Sequence, residues 1–264
     1  MILGVMALAL LGAAAEASVT AGEIMARVAE NQDRAQSLRQ AYVYHQTVTH
    51  QVRKPNGTLL GDRVNEYDVI PAAKGFEKKP VSSSSSGERI GSIQWQFNDS
   101  GRADISNDTL MDDDSRDGIG PRLFPLTADE QRHYTFALAG REKFEGTEVF
   151  RLHFEPKRMD DPAEIRVWAG DVLVDAAEFQ PALIRTRLSR RVPVAVQILL
   201  GTNIKNLDFR LAYRKFEDGV WFPVDYRTDF NLRVLFLYNR HISFFMKNEA
   251  FRKTDVQSSV EFEK

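Results

Sequence analysis

The feature that most constrains this chain is a change of hydrophobic period at Tyr42. Before Tyr42 apolar residues recur at helical spacing, and after it they alternate with polar residues, as in "FRLHF" from Phe150 to Phe154. Alternation of this kind is typical of strands with one buried face and one solvated face. Because tight turns join most of these strands, neighbours must be antiparallel. The sequence therefore predicts one large antiparallel sheet with a single apolar face.

About ten strands can be counted along the chain. In the first, Tyr42, Tyr44, Val48 and Val52 share the apolar face. Further on, Leu126–Glu130 predicts a short capped helical turn, and Phe144-Glu145-Gly146 predicts the turn of a hairpin. Residues 234–238 are apolar on both faces, which predicts cover on both sides. A sheet with one apolar face must curl around that face, lay a helix over it, or do both.

One amphipathic helix is predicted ahead of the strands. Thr20 and Glu23 form a capping box, T-x-x-E, at its start, and it is expected to end near Arg39. We expect the helix to lie over the sheet as a lid, with Ile24, Met25 and Val28 as its contact residues. The predicted apolar side is Ile24, Met25, Val28, Ala29, Ala35 and Leu38, and the polar side is Glu30, Asn31, Asp33, Arg34 and Gln36.

Residues 71–125 interrupt the strand pattern. They contain the serine tract Ser82–Ser86, a short alternating stretch at Gly91–Phe97 and an acidic segment at Asn107–Gly120. This composition predicts a long, loop-rich and partly disordered insertion. We expect it to belong to a single domain that spans residues 18–264.

The N-terminal residues predict export. Met1–Leu11 is apolar, and Ala15-Glu16-Ala17 is an A-x-A cleavage site, so residues 1–17 are expected to be a signal peptide, although no Lys or Arg precedes the apolar stretch. The alternative is a buried N-terminal helix. Export predicts a soluble protein of the periplasm.

Composition and motifs exclude several kinds of function. A net charge of -2 and a pI near 6.2 give no reason to expect nucleic acid as a partner. Without cysteine, disulfides, zinc–thiolate sites and thiol catalysis are excluded. Residues 113–118 match part of a calcium loop, but Phe124 stands where a bidentate Glu is required. The histidines also lack the spacing of a metal-binding motif such as H-E-x-x-H; they are His45, His50, His133, His153 and His241.

We therefore predict no enzyme activity, no metal site and no cofactor. The main candidate site is the apolar sheet face. Periodicity alone leaves two interpretations open, a packed core or a cavity for an apolar guest. A cavity could hold a lipid without specific polar contacts, because each buried methylene contributes about 0.8 kcal/mol. The face is predicted to carry Tyr42, Tyr44, Trp95, Phe150, Phe154, Phe209, Tyr213 and Phe222.

A second candidate is the stretch from Ser189 to Gly201, which joins Arg190 and Arg191 to an apolar run containing Pro193. It is interpreted either as a loop that touches a membrane or partner, or as a short buried helix or strand. The sequence favours the buried element.

Three stretches carry a resemblance to a known superfamily: "FEGTEVFRLHFEPKR", "VWAGDVLVDAAEFQPALIR" and "YRKFEDGVWFPVDYR". With the leading helix, the chain from about Ala21 to Phe251 resembles the outer-membrane lipoprotein-sorting proteins LolA, LolB and RseB/MucB, and the mycobacterial lipoprotein lipid carriers. In particular, the hairpin at Val172–Ile184, with its D-x-x-x-(F/Y)-x-P connection, is similar to that of the family. The resemblance implies a mainly β fold: an unclosed half-barrel of about ten to eleven strands whose helical lid covers an apolar cavity.

The resemblance also implies a function. The chain is expected to be a periplasmic carrier or sorting protein in outer membrane biogenesis, holding acyl chains of lipoproteins or lipids and meeting donor or receiver proteins of the inner or outer membrane. The alternative is an envelope sensor or regulatory module, similar to RseB/MucB, that binds a membrane-anchored partner.

Overall fold

The structure is a computed structural model that describes residues 19–72, 76–87, 123–158, 166–189, 204–216, 218–234 and 238–254. Several predictions lie outside these ranges: the signal peptide at 1–17, Trp95, the calcium-like loop at 113–118, residues 190–201 of the second candidate, and 235–237 of the stretch apolar on both faces.

One long helix and ten strands make up most of the described chain. The long helix is α1, Ala21–Arg39, and a single turn of helix, α2, spans Ala128–Gln131. The strands are β1 (Tyr42–Arg53), β2 (Leu59–Pro71), β3 (Phe76–Gly87), β4 (Tyr134–Phe144), β5 (Thr147–Pro156), β6 (Trp168–Asp175), β7 (Pro181–Leu188), β8 (Ile204–Lys215), β9 (Trp221–Val234) and β10 (Tyr238–Lys253).

All ten strands belong to one sheet in the order β3-β2-β1-β10-β9-β8-β7-β6-β5-β4. Every neighbouring pair is antiparallel. β3 and β4 form the two edges and are not paired with each other among the described residues, so the sheet is not closed into a barrel. The predicted fold class, a mainly β half-barrel with a leading helix, is confirmed.

The alternation in the sequence matches the two faces of the sheet. One row across the inner face runs through Leu152, Val172, Ile184, Leu211, Tyr226, Met246 and Val48, each the register partner of the next. All of these residues are at most 5% exposed. They belong to one core cluster that also contains Ile24, Met25 and Val28 of α1. The core therefore lies between α1 and the inner face of the sheet.

The predicted capping box is present at the start of α1. The Thr20 hydroxyl accepts from the Glu23 amide at 3.2 Å, and the Glu23 carboxylate accepts from the Thr20 amide at 2.7 Å. The predicted apolar side was wrong at its end, because Leu38 is 55% exposed and Arg39 is 2% exposed. Arg39 turns inward because its guanidinium donates to the Trp221 carbonyl oxygen at 2.6 Å.

The serine tract was predicted to belong to a loop-rich insertion, and the structure corrects this. Ser82–Ser86 lies inside β3, which pairs along its length with β2. The hydroxyl of Ser82 donates to the Glu66 carboxylate at 2.8 Å, and that of Ser83 donates to the Asn65 side-chain oxygen at 2.8 Å. An edge strand is held by its backbone ladder, so it can form without an apolar face.

Candidate functional site

The predicted cavity residues that the structure describes are all buried. Each is 7% exposed or less, and the set is Tyr42, Tyr44, Phe150, Phe154, Phe209, Tyr213 and Phe222. The structure divides them into two groups. Phe150, Phe154, Phe209 and Tyr213 lie in the core cluster beneath α1, whereas Tyr42 and Phe222 lie in a separate cluster.

Aromatic rings fill much of the face in the first group. Phe209 lies 5.0 Å from Trp168 and 6.3 Å from Tyr226, measured between ring centroids. Phe154 lies 5.7 Å from Tyr134 in an edge-to-face arrangement. These separations fall within the range of favourable aromatic pairs. With α1 in this position, the protein's own side chains occupy this part of the face.

The second group lies near the C-terminal end of α1. Tyr42 packs on Phe222 at 4.9 Å, and Phe251 packs on Phe222 at 4.4 Å and on Tyr44 at 5.1 Å. A cleft of about 10 Å³ opens here, lined by Arg39, Tyr44, Phe76, Phe222, Pro223 and Phe251. That volume suits about one water molecule, whereas ligand pockets usually measure about 300–1,000 Å³.

Two polar side chains in the middle of α1 fix the helix to the turn between β6 and β7. The Asn31 amide nitrogen donates to the carbonyl oxygens of Glu178 at 2.7 Å and Phe179 at 3.1 Å. The Gln32 amide nitrogen donates to the Gln180 side-chain oxygen at 2.8 Å. We call Asn31, Gln32 and their partners the latch.

Contacts near each end of α1 complete its attachment. Near the N-terminal end, the Gln131 amide nitrogen donates to the Met25 carbonyl oxygen at 2.9 Å. At the C-terminal end, Arg39 donates to the Trp221 carbonyl and also to the Gln32 side-chain oxygen at 3.2 Å. Among the described residues, no backbone–backbone hydrogen bond joins α1 to a strand. In the described ranges, side-chain contacts therefore hold the helix on the sheet.

A buried ion pair supports the short helix α2, which carries Gln131. Arg166 donates to the two oxygens of the Glu130 carboxylate at 2.7 and 2.9 Å, and the two side chains are 8% and 6% exposed. The predicted cap of this turn is confirmed, because the Thr127 hydroxyl accepts from the Glu130 amide at 3.3 Å. Burial raises the pKa of the neighbouring Tyr134 hydroxyl, with Glu130 adding to the shift.

Sequence reasoning missed the latch. The sequence pattern placed Asn31 on the polar side of the helix, and it predicted no contact for Gln32 or Arg39. Their partners lie far along the chain, 147 residues away for the contact from Asn31 to Glu178. Hydrophobic periodicity depends on residues that are neighbours in sequence, so it cannot predict a contact between residues this far apart. An amide side chain next to the apolar side of a helix permits such a contact but does not identify its partner.

The described ranges contain neither a cluster of metal ligands nor a helix able to span a membrane. No group of three or more His, Asp or Glu side chains there comes close enough together to hold a metal ion. None of the helices in those ranges combines the length and hydropathy needed to cross a bilayer.

Comparison with known proteins gives matches among solved structures. No protein-family model matches the chain, and no curated protein matches it. A DUF1329 family protein from Desulfovibrio piger is 14% identical with a TM-score of 0.40, and the match covers 91% of this chain and 96% of that one. A LolA superfamily protein from Nitrosomonas europaea is 12% identical with a TM-score of 0.37, covering 90% and 96%. MucB in complex with MucA is 10% identical with a TM-score of 0.26, covering 89% and 100%. The matched structures thus include the LolA and MucB groups that the sequence resembles.

Proposed function

We propose that this protein is a periplasmic carrier that holds acyl chains of a lipid or lipoprotein against the inner face of the sheet. The guest takes the place of the apolar side chains of α1, which moves aside as a lid. The observation that carries this proposal is the attachment of α1: it covers an apolar sheet face and is fixed there by side chains, without a backbone ladder to any strand in the described residues.

The energies involved favour a guest with more than one acyl chain. Exposing Ile24, Met25 and Val28 costs about 1.5–3 kcal/mol each. Breaking the latch and the two end contacts costs about 1 kcal/mol per hydrogen bond. The total is roughly 10–14 kcal/mol, whereas one chain of about fifteen methylenes contributes about 12 kcal/mol. One chain therefore about balances the opening, and a second chain makes loading favourable.

Native mass spectrometry of the gently purified protein tests the proposal. We expect bound species with the masses of acylated lipids, and we expect a fluorescent diacylglycerol probe to bind and to be displaced by an unlabelled lipid with two chains. Absence of any bound lipid together with no probe binding would contradict the carrier. If envelope extracts then yield a stoichiometric protein partner, the protein is the sensor module instead.

Loosening the latch should change how easily α1 leaves the sheet. In the Asn31→Ala/Gln32→Ala double variant, we expect the free energy of unfolding to fall by about 1–3 kcal/mol, because hydrogen bonds in the latch are lost. Amide hydrogen exchange in α1 should become at least about tenfold faster, since this fold-change corresponds to 1.4 kcal/mol.

A matched control lies on the same helix. Glu30 and Arg34 form an ion pair at 4.0 Å whose side chains are 70% and 71% exposed. Exposed pairs of this kind contribute little, so the Glu30→Ala/Arg34→Ala variant should exchange like the wild type. Equal exchange rates in the two double variants would show that the latch does not hold the helix.

A further inference from the structure

Three hydroxyl groups on the inner face of the sheet lack a hydrogen-bond partner among the described residues. They belong to Thr186, Tyr226 and Thr228, which are 1%, 2% and 1% exposed. Within the part of the chain that the structure describes, none of the three oxygens donates to or accepts from another group. Such an oxygen costs about 1–3 kcal/mol when it is left unsatisfied in a protein interior.

The three residues flank Phe209 on the inner face of the sheet. Phe209 is the register partner of Thr186 on one side and of Thr228 on the other. Thr186 and Thr228 are therefore two strand spacings apart, about 10 Å. Tyr226 precedes Thr228 by two residues on the same face, and its ring lies 6.3 Å from the ring of Phe209. The three residues thus lie on the two strands that border β8, within the face assigned to the guest.

Packing alone does not account for these oxygens. Valine has nearly the shape of threonine and phenylalanine that of tyrosine, and neither carries a side-chain polar atom, so the same face could be filled without the cost of burying a hydroxyl. A hydroxyl does, however, donate to a carbonyl oxygen that enters the face. A guest made only of hydrocarbon would leave all three hydroxyls unsatisfied.

The surroundings also limit the charge of the guest. Burial raises the pKa of the Tyr226 hydroxyl well above its usual value, which reflects an apolar environment that disfavours a charged group. An ionised carboxylate placed beside these hydroxyls would lose its water without gaining a cation from them, at a cost of several kcal/mol. A neutral carbonyl carries no such penalty.

We propose that Thr186, Tyr226 and Thr228 bind the ester carbonyl oxygens of a neutral, ester-linked diacyl group, and so select the acyl esters of glycerol over bare hydrocarbon and over free fatty-acid carboxylates. This inference rests on the proposed carrier function. It adds a polar recognition element to a face that sequence periodicity described only as apolar.

The test compares a diester with its diether. Dioctanoylglycerol and dioctylglycerol each carry two eight-carbon chains, and each carbonyl group of the diester is a methylene in the diether. Each is titrated against the wild-type protein loaded with a neutral, dansyl-labelled diacylglycerol. We expect the diester to displace the probe at a concentration at least about fivefold lower, since one hydrogen bond contributes about 1 kcal/mol.

Three conservative variants locate the effect: Thr186→Val, Thr228→Val and Tyr226→Phe. We expect their combination to bind the diether as the wild type does and to lose its preference for the diester. Tyr134→Phe is the matched control, because it removes another buried hydroxyl that has no partner in the described ranges, on β4, four strands away from β8 in the sheet order. It should keep the preference.

The two proposals fail in different ways. If diester and diether displace the probe equally from the wild type, or if the triple variant keeps the preference, the ester site is overturned and the carrier stands. If the probe does not bind at all, the carrier fails and the ester site fails with it.

Discussion

Replacing Glu130 by alanine is expected to lower the free energy of unfolding by about 3–5 kcal/mol, because it leaves a buried guanidinium without its carboxylate. Glu130 and Arg166 form two short hydrogen bonds, and neither side chain is more than 8% exposed. Chemical denaturation followed by circular dichroism measures the change. Because α2 also carries Gln131, the contact with Met25 at the N-terminal end of α1 should loosen in the same variant.

The same single-turn helix supplies the control. Asp129 and Arg132 form an ion pair at 3.4 Å, but their side chains are 71% and 61% exposed. Asp129→Ala should therefore cost less than about 1 kcal/mol. A loss below about 1 kcal/mol in Glu130→Ala as well would show that the buried pair contributes no more than an exposed one.

Truncating Phe154 to alanine is expected to lower the free energy of unfolding by about 3–5 kcal/mol, as it does for tightly packed core aromatic residues. Phe154 is fully buried and packs against the rings of Tyr134 and Phe136, at 5.7 and 6.4 Å. Thermal or chemical unfolding provides the measurement. The result also bears on the site, since a side chain bordering an empty cavity has fewer contacts to lose.

Leu138 on β4 is the corresponding control, because it is 40% exposed. Leu138→Ala should change the free energy of unfolding by less than about 1 kcal/mol, since surface substitutions rarely cost more. If Phe154→Ala costs no more than Leu138→Ala, the face beneath α1 is not packed as the structure shows.

The strands and their apolar face could be predicted from the sequence because they depend on local rules. Period-two alternation assigns each side chain to a face wherever one face is buried. The apolar stripe Ile24, Met25 and Val28 and the capping box of Thr20 and Glu23 likewise fix α1 within a few residues. In both cases the sequence pattern that predicts the element involves only residues close to one another along the chain.

Strand β3 could not be predicted in this way. The serine tract has no apolar alternation, and its composition is typical of loops. What holds it in place is the backbone ladder with Asp62–Glu66 of β2, together with hydroxyl contacts such as that from Ser82 to Glu66. Pairing of this kind depends on the partner strand and leaves no periodic signal in its own sequence.

The polar contacts of α1 could not be predicted from the sequence for a related reason. Asn31 looks like a solvated helix residue until the turn at Glu178 and Phe179 is placed beside it. Arg39 looks like an exposed basic residue at a helix end, and contacts with distant parts of the chain, such as that with the carbonyl of Trp221, explain its burial. Long-range hydrogen bonds decide these positions, whereas propensity and periodicity report only on neighbours in sequence.

The proposed function requires α1 to move away from the inner face of the sheet. A reversible cross-link tests this movement most directly. The Asn31 side chain reaches the carbonyl oxygen of Glu178 at 2.7 Å, whereas the Glu178 carboxylate accepts from the Trp221 ring nitrogen at 2.9 Å, so a short flexible linker suits these two positions better than a direct disulfide. The chain contains no cysteine. An Asn31→Cys/Glu178→Cys variant therefore offers a single pair of thiols to a bis-methanethiosulfonate linker, whose disulfide bonds are broken by reduction, and each single variant serves as its control.

The measurement is binding of a fluorescent diacylglycerol probe to this variant before and after reduction. We predict that the cross-linked protein, with α1 tied to the turn, binds the probe at least about tenfold more weakly than the reduced protein, and that the reduced protein binds it as the single variants do. Equal binding by the cross-linked and reduced forms would contradict the account, because the guest would then reach its site without moving the helix.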